Sequence, residues 1–190
     1  MGTNNLTRVY MNGKLRVCQY GCNDGYPTGM GRVVLNFCTQ RYNIERLFFR
    51  LMENFIYDIG LDPEPEMLAM LDKLRGRARS RETHWILDKL FGFSPWNMDW
   101  GYNILYLIAL GPVPQRGYVL KQEGDVDYIE GVADLYLVSD ESDARKLVDY
   151  SLKLTFWGRS MTFTRQDLES MDMDAMMEKF RSWEKSHYEK

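Results

Sequence analysis

The side chains on which metal and nucleophilic chemistry most often depend are scarce in this sequence. It has only two histidines and three cysteines among its 190 residues. Neither His84 nor His187 has a second histidine or cysteine at metal-ligand spacing, and Cys18 with Cys22 is too small a set for zinc. The composition therefore argues against a zinc site, and we expect no metal or other cofactor.

Long apolar runs and an excess of one charge are also lacking. The longest apolar stretch, Ile104 to Leu110, is too short to cross a membrane and would fit a buried strand. The 24 basic and 27 acidic residues give a net charge of -3, so nucleic acid is not an expected partner of the protein as a whole. The odd number of cysteines and the lack of a secretory leader predict free thiols in a reducing cytoplasm.

Apolar and aromatic residues, by contrast, are plentiful. Hydrophobic residues make up 45% of the chain and aromatics 14%, which is enough to bury a sizeable core. There is no internal repeat and no long linker. The length favours a single domain over residues 1–190.

The first half of the sequence predicts a β-hairpin followed by helices. Leu6 to Gln19 alternates around Asn12-Gly13, a type I′ turn sequence. A loop with four glycines then leads into Arg32 to Thr39, which suits a helix or a strand and which we interpret as a helix. Further helices are predicted from Asn43 to Ile59 with Asn43 as the cap, from Asp62-Pro63 onward, and from Arg81 to Leu90.

The second half predicts strands and a final helix. Lys153 to Phe163 reads as a hairpin turning at Gly158, and Thr164 to Asp167 resembles a capping box for a helix through Trp183. A short helix is predicted from Asp143 to Asp149. Four β-rich runs precede these elements: Asn103 to Leu110, Gly117 to Gln122, Val126 to Ile129 and Val132 to Val138. The predicted fold class is α+β, with an N-terminal β-hairpin, a helical middle, and an antiparallel sheet and terminal helix in the C-terminal half.

The glycine-rich stretch after the first hairpin, Asp24 to Arg32, is the first candidate binding site. Glycines allow a backbone to approach a ligand closely, and a helix N-terminus offers unpaired amides to an anion. Arg32 would add charge, and two tyrosines could stack on a ring. The alternative is a loop that only reverses the chain. The residues expected to bind ligand here are Tyr20, Asp24, Gly25, Tyr26, Gly29, Gly31 and Arg32.

A basic cluster is the second candidate. Lys73, Arg75, Arg77, Arg79 and Arg81 lie two residues apart, which does not place them on one helix face. At a connection between helices, Arg77, Arg79 and Arg81 could clamp a phosphate or meet an acidic protein surface. They could equally be solvated and paired with acidic neighbours. A nucleotide pocket would require this cluster to meet the glycine-rich stretch in space.

Two weaker features remain. Cys22 could act as a nucleophile and Asp24 as a general base, but no partner group is evident, so an enzyme is not supported. The C-terminal helix carries a methionine-rich stripe that could bind a partner or a second copy of the chain, or could pack on the protein's own sheet. That stripe comprises Met171, Met173, Met176, Met177, Phe180 and Trp183.

The beginning of the chain resembles a family of small phage and prophage proteins without an assigned activity. The resemblance rests on Met1-Gly-Thr, on Gln19-Tyr-Gly, and on Asp24-Gly-Tyr-Pro-x-Gly-x-Gly. Members begin Met-Gly-Thr-Arg and carry Gln-Trp-Asp-Gly-Tyr-Pro, whereas this chain has Asn4 for the arginine and Cys22-Asn23 for Gln-Trp. A looser similarity occurs at Arg81-Glu-Thr. The resemblance implies a viral origin, a host cytoplasmic location, and a functional role for the glycine-rich stretch.

Together these features suggest a non-enzymatic binding protein of phage type with a counter-defence role. It would either sequester a nucleotide signal or block a host defence protein. In the nucleotide version the amides near Gly29 to Gly31 and Arg32 hold phosphate, and Tyr26 stacks on the base. In the protein version, aromatic and methionine surfaces bind and the glycine-rich stretch is a rigid contact loop. The alternative is a small hydrolase of a phosphorylated or ADP-ribosylated compound, with Asp24 as its base.

Overall fold

The computed structural model describes residues 3–21, 24–53, 104–110 and 129–189. Several predicted features lie outside these residues. They are the end of the second predicted helix with Gly60, the helices beginning at Asp62-Pro63 and Arg81, the basic cluster, Cys22, the run Gly117 to Gln122, and all of the run Val126 to Ile129 except its last residue.

Five described strands form one mixed sheet. They are β1 (Asn5–Met11), β2 (Lys14–Gly21), β3 (Gly131–Ser139), β4 (Leu147–Phe156) and β5 (Arg159–Thr164), in the order β2-β1-β3-β4-β5. Both predicted hairpins are present, and β3, β4 and β5 pair antiparallel as expected. The sequence did not predict that β1 pairs with β3 in parallel, with Val9 opposite Leu135. The α+β class is confirmed, and the N-terminal hairpin belongs to the same sheet as the C-terminal strands.

The described α-helices range from five to 16 residues in length. A π-helical turn, Pro27–Gly31, runs directly into α1 (Arg32–Cys38), so the predicted helix after the glycine-rich stretch is confirmed. The others are α2 (Arg41–Glu53), α3 (Ile104–Leu110), α4 (Arg165–Glu169) and α5 (Met173–Tyr188). In the part of the chain that is described, no helix has the length and apolar character to span a membrane.

The strand predicted at Ile104 to Leu110 is wrong, because this segment is helix α3. Its residues are apolar on all sides, and such a run does not distinguish a buried helix from a buried strand. In the structure Leu105 and Ala109 are fully buried, and Tyr106 packs edge-on against Phe37 of α1. Packing between helices therefore decided the conformation.

The short helix predicted from Asp143 to Asp149 is also wrong. Residues 141–146 form bends and a turn, and β4 begins at Leu147. The carboxylate of Asp140 accepts bonds from the amide and hydroxyl of Ser142, so local side-chain bonds stabilise a loop instead of a helix.

Two helix ends also differ from the sequence expectations. Asn43 does not cap α2, which begins at Arg41; its buried side chain donates to the carbonyl of Phe37. The capping box at Thr164 is confirmed, but it starts the five-residue helix α4. The chain then breaks at Ser170, and Asp172 caps the separate helix α5.

The core lies on one face of the sheet. Leu135, Leu152 and Phe163 are adjacent on this face and are buried, and Phe180 of α5 is fully buried with them. On the opposite face Tyr136 and Val138 are exposed. The described helices thus cover one side of the sheet, while its other side carries both exposed residues such as Val138 and buried ones such as Asp134.

Candidate functional site

The glycine-rich stretch is a turn whose backbone amides are bonded within the protein. The amide of Gly25 donates to the carbonyl and hydroxyl of Thr3, at 3.1 and 2.9 Å. The amides of Gly29 and Gly31 donate to the carbonyl of Tyr26, and that of Met30 donates to the carbonyl of Asp24. The expectation of free amides at Gly29 to Gly31 is therefore wrong, and the physical reason is that the π-helical turn uses them.

The amide of Thr28 is bonded to a carboxylate, which carries the same charge as the anionic ligand that was expected at the turn. Thr28 N donates to Glu184 Oε1 of α5 at 2.6 Å. A carboxylate of the protein thus occupies the position where a phosphate oxygen would have been expected. Because like charges repel at short range, this arrangement disfavours an anionic ligand at the turn.

Close packing explains the glycines of the turn. A Cβ atom on Gly25 would lie 2.1 Å from the carbonyl oxygen of Asn4, and one on Gly29 would lie 2.7 Å from that of Asp24. A Cβ on Gly31 would lie 2.9 Å from the Phe180 ring. These contacts leave no room for a side chain, so replacing Gly31 with a bulky residue would disturb the core and could not test ligand binding.

The side chains of the turn add negative charge. The Tyr26 hydroxyl donates to the Asp24 carboxylate at 2.9 Å. This bond is the main reason that the pKa of Tyr26 is raised, and burial and the nearby charge of Glu184 add to the effect. Asp24 has a left-handed backbone with φ 59°, as expected for a turn residue before glycine. The turn therefore presents carboxylates.

Arg32, the one basic residue predicted at the turn, lies on a separate groove. It is exposed at the first position of α1 and lines a groove of about 620 Å³ between α1 and α5, together with Asn36, Met177 and Arg181. Asp174 and Glu178 line the same groove, so its charge is mixed. Tyr20 lies in β2 opposite Leu6. Arg77, Arg79 and Arg81 are outside the described residues.

An aromatic cluster lies where the tip of the β4–β5 hairpin meets the end of α5, and we call Trp157, His187, Tyr188 and Tyr26 the aromatic corner. The rings of Trp157 and His187 stack with centroids 4.0 Å apart and planes 4° apart. Tyr188 meets Trp157 edge-on at 5.9 Å and is 68% exposed. Tyr188 also contributes, as the smallest of several causes, to the raised pKa of Tyr26. The corner thus exposes His187 and Tyr188 beside the turn, while Trp157 and Tyr26 are half-buried and Trp157 also packs against the core.

The backbone of Trp157 is unusual. Its φ is 50°, a left-handed conformation that costs a bulky residue about 1–2 kcal/mol. The amide of Trp157 donates to the carbonyl of Glu130 at 3.1 Å, which helps to hold this conformation. Strained residues of this kind occur disproportionately at functional sites.

Sequence reasoning missed Trp157, Glu184 and Tyr188 as site residues. One local signal existed, because Trp157-Gly158 stands at a hairpin turn where Asn-Gly is the favoured pair. Nothing local indicated that Glu184 would reach Thr28, since the two residues are 156 positions apart.

No group of three or more histidine, cysteine, aspartate or glutamate side chains within the described ranges could hold a metal ion. In comparisons with known proteins, no protein-family model, no curated protein and no solved structure matches the chain.

Proposed function

We propose that the protein is a non-enzymatic binding protein of phage type that counters a host defence by blocking a host protein. Its contact surface is the aromatic corner. The observation that carries the proposal is the strained Trp157, which lies half-buried at the edge of the core and stacks on the exposed His187. The phage origin and the counter-defence role rest on the resemblance at the start of the chain.

The residue types of the corner support a protein partner. Tryptophan and tyrosine are the side chains most enriched among interface residues that dominate binding energy. Tyr188 is the most exposed large hydrophobic residue of those described. A flat aromatic surface of this kind provides a large contact area with few rotatable bonds.

The turn supports the corner mechanically. Its amides are bonded to Thr3, Tyr26, Asp24 and Glu184, which ties the turn to the N-terminal segment and to α5. A contact loop that is already ordered loses little conformational entropy on binding. The protein-blocking version of the proposal requires such a rigid contact loop.

The other functions predicted for the turn have less support. Nucleotide sequestration there needs free amides, and these are bonded internally. Hydrolysis needs Asp24 as a base, and its carboxylate accepts a bond from Tyr26. Neither alternative gains an observation in its favour at this turn.

The experiment uses a variant that removes the indole and relieves the backbone strain at residue 157. Trp157→Asn restores the preferred Asn-Gly turn, so a loss of binding would not come from turn strain. Tagged wild-type protein is expressed in a host with active defence signalling, and retained polypeptides are compared with those of Trp157→Asn, Tyr188→Ala and Tyr42→Ala. Tyr42 is 62% exposed on α2 and serves as the matched control.

We expect one host polypeptide to bind the wild type and Tyr42→Ala, and to bind both corner variants at least about tenfold more weakly. Heating the purified protein would release any bound nucleotide for identification. Equal retention of the polypeptide by all variants would contradict the corner as the contact surface. Release of an intact nucleotide with no polypeptide retained would contradict the blocking function itself.

A further inference from the structure

The two outer strands of the described sheet differ in how their free edges are protected. An outer strand presents unpaired amides and carbonyls to which a further strand can bond, and proteins commonly protect it with lysine, proline or a β-bulge. β2 follows this rule. It carries Lys14 and Arg16, and its pairing with β1 contains a bulge. Arg16 Nη2 also donates to the carbonyl of Leu51 at 2.6 Å, so β2 is a poor template for another strand.

β5 has none of these devices. Its six residues, Arg159–Thr164, include no lysine and no proline, and its register with β4 is uninterrupted. In the described part of the chain β5 pairs with β4 alone. The side chains of Ser160, Thr162 and Thr164 are exposed. Within the described sheet, the outer edge of β5 is thus open to another strand.

The hairpin turn determines which backbone groups of β5 bond to β4. Phe156 and Arg159 flank a two-residue turn in which both φ values are positive. In such a turn the flanking residues bond each other, and bonded pairs then alternate along the hairpin with non-bonded pairs. The backbone groups of Arg159, Met161 and Phe163 therefore point toward β4.

The residues between them direct their amides and carbonyls outward. These residues are Ser160, Thr162 and Thr164. The amide of Thr164 agrees with this assignment, since it donates to the side chain of Asp167 at 2.8 Å. The amides of Ser160 and Thr162 and the carbonyls of all three residues therefore lie along the open edge.

The helices that follow β5 do not bond to the middle of this edge. Arg165 of α4 donates to the backbone of β4. Phe180 of α5 packs against Phe156 of β4, and α5 meets β5 where Arg159 Nη1 donates to Ser186 Oγ. The hydrogen bonds of the described helices thus reach β5 only at its two ends.

From this arrangement we infer that β5 pairs antiparallel with β5 of a second copy of this chain, about a two-fold axis between the two Thr162 residues. Each Thr162 donates its amide to the carbonyl of the other. The Ser160 amide of each copy donates to the Thr164 carbonyl of the other copy. The Thr164 amide keeps its bond to Asp167. Two five-stranded sheets thereby become one continuous sheet.

The side chains of β5 match those of a second copy in this register. On the outer face the exposed hydroxyl residues meet one another, and such residues are favourable cross-strand neighbours. On the core face the half-buried Met161 meets the buried Phe163 of the second copy, so the two apolar cores adjoin. A register shifted by two residues would instead place Phe163 opposite Arg159. The edge thus complements itself, as a two-fold interface requires.

The test begins with the mass in solution, measured by analytical ultracentrifugation as the protein concentration rises. We expect the wild type to reach the mass of two chains. Thr162→Pro removes an outward amide, and proline is tolerated on an outer strand when its nitrogen faces outward. It should weaken dimerisation at least about tenfold, because the bond at Thr162 forms twice across the axis. Thr162→Val is the matched control, since it keeps the amide and the branched side chain and should dimerise like the wild type.

A cross-linking experiment tests the register. Across the axis the two Thr162 Cα atoms are about 5.5 Å apart, which suits a disulfide, whereas the two Ser160 Cα atoms are about 13 Å apart or more. Thr162→Cys should therefore form a disulfide-linked dimer on mild oxidation, and Ser160→Cys should not. Both variants carry Cys22→Ser, which leaves the buried Cys18 and Cys38 as the native thiols. This comparison decides the question if Thr162→Pro fails to fold in thermal melts.

Three results would overturn the inference. One is a monomer at every concentration, including the case in which hydrogen exchange at the β5 amides slows only when a host polypeptide is added. Another is equal dimerisation of Thr162→Pro and Thr162→Val, which would assign the dimer to a different surface. The third is equal cross-linking of Thr162→Cys and Ser160→Cys. The inference does not depend on the protein-blocking function, and Tyr188→Ala should dimerise like the wild type, so failure of the dimer and failure of the aromatic corner are distinguishable.

Discussion

The two hairpin turns have similar backbone conformations, but only one of them has a sequence that favours that conformation. Asn12-Gly13 joins β1 to β2 with φ values of 49° and 75°, and Trp157-Gly158 joins β4 to β5 with φ values of 50° and 77°. Asparagine is a preferred residue for this left-handed position, whereas tryptophan is disfavoured there. The same conformation is thus reached once in accordance with local propensity and once against it.

The difference lies in what each side chain contacts. Asn12 is part of the framework: its Nδ2 donates to Ser139 Oγ at 2.7 Å, and its Oδ1 accepts from the Ser139 amide at 2.9 Å. Trp157 makes ring contacts with His187 and Tyr188 at the surface. The side chain of the first turn is thus bonded into the framework, whereas that of the second accepts a strained backbone and makes ring contacts. This contrast is the basis for placing the contact surface at the second turn.

The largest effect should come from copying the second turn into the first. Asn12→Trp would lose both bonds to Ser139 and place a bulky residue in the left-handed region without a stacking partner. We expect a loss of about 2–4 kcal/mol in the free energy of unfolding, measured by denaturant titration. Asn12→Asp is the control, because it keeps the Oδ1 acceptor and should cost about 1 kcal/mol. A tolerated Asn12→Trp would remove the argument from strain.

A smaller and equal effect is expected at the two glycines. A Cβ atom at Gly13 or at Gly158 would meet nothing within 4 Å, so only backbone strain opposes alanine. Gly13→Ala and Gly158→Ala should each destabilise by about 1 kcal/mol, within error of each other. Unequal costs in paired thermal melts would show that the two turns are not equivalent in conformation.

A still smaller change in stability is expected when Trp157 itself is replaced by asparagine. The variant gains about 1–2 kcal/mol from the relaxed turn and loses a comparable amount from the aromatic stack, so the net change should stay below about 1 kcal/mol. His187→Ala removes the stack but keeps the strain, and it should destabilise by about 0.5–1.5 kcal/mol. If Trp157→Asn proves far less stable than His187→Ala, the indole has a structural role and the functional argument weakens.

How far the sequence predicted these features depends on how local their causes are. The turn at Asn12 and the capping box at Thr164 depend on contacts within a few residues, and both were predicted. The parallel pairing of Asn5 with Gly131 and the bond from Thr28 to Glu184 join distant parts of the chain, and neither was predicted. Local signals do not encode which distant element covers a given residue.

The candidate site shows the same division. The sequence singled out Asp24 and Tyr26 correctly as residues of a special turn. It predicted free amide donors for an anion there, whereas the structure has bonded amides and nearby carboxylates. The glycines correctly indicated that another group approaches the backbone closely, and this group was taken to be a ligand. The approaching groups are the protein's own Asn4 carbonyl and Phe180 ring. A glycine pattern predicts proximity, and only the fold identifies what is near.

The smallest effect is expected at the other end of β5, where the capping box of Thr164 and Asp167 at the start of α4 is stabilised by charge and not by rings. Bonds from the Thr164 hydroxyl and then from its amide lower the pKa of Asp167 below its ordinary value. The folded state therefore binds this proton less readily than the unfolded chain, so the stabilisation is present above an unfolded pKa of about 4 and disappears as the pH falls through the lower folded value. The difference in unfolding free energy between wild type and Asp167→Asn should shrink between about pH 6 and about pH 2.5. The corresponding difference for Gly158→Ala should stay constant over that range, because that substitution changes only backbone strain; a parallel decline in both would assign the acid sensitivity to the whole hairpin instead of to Asp167.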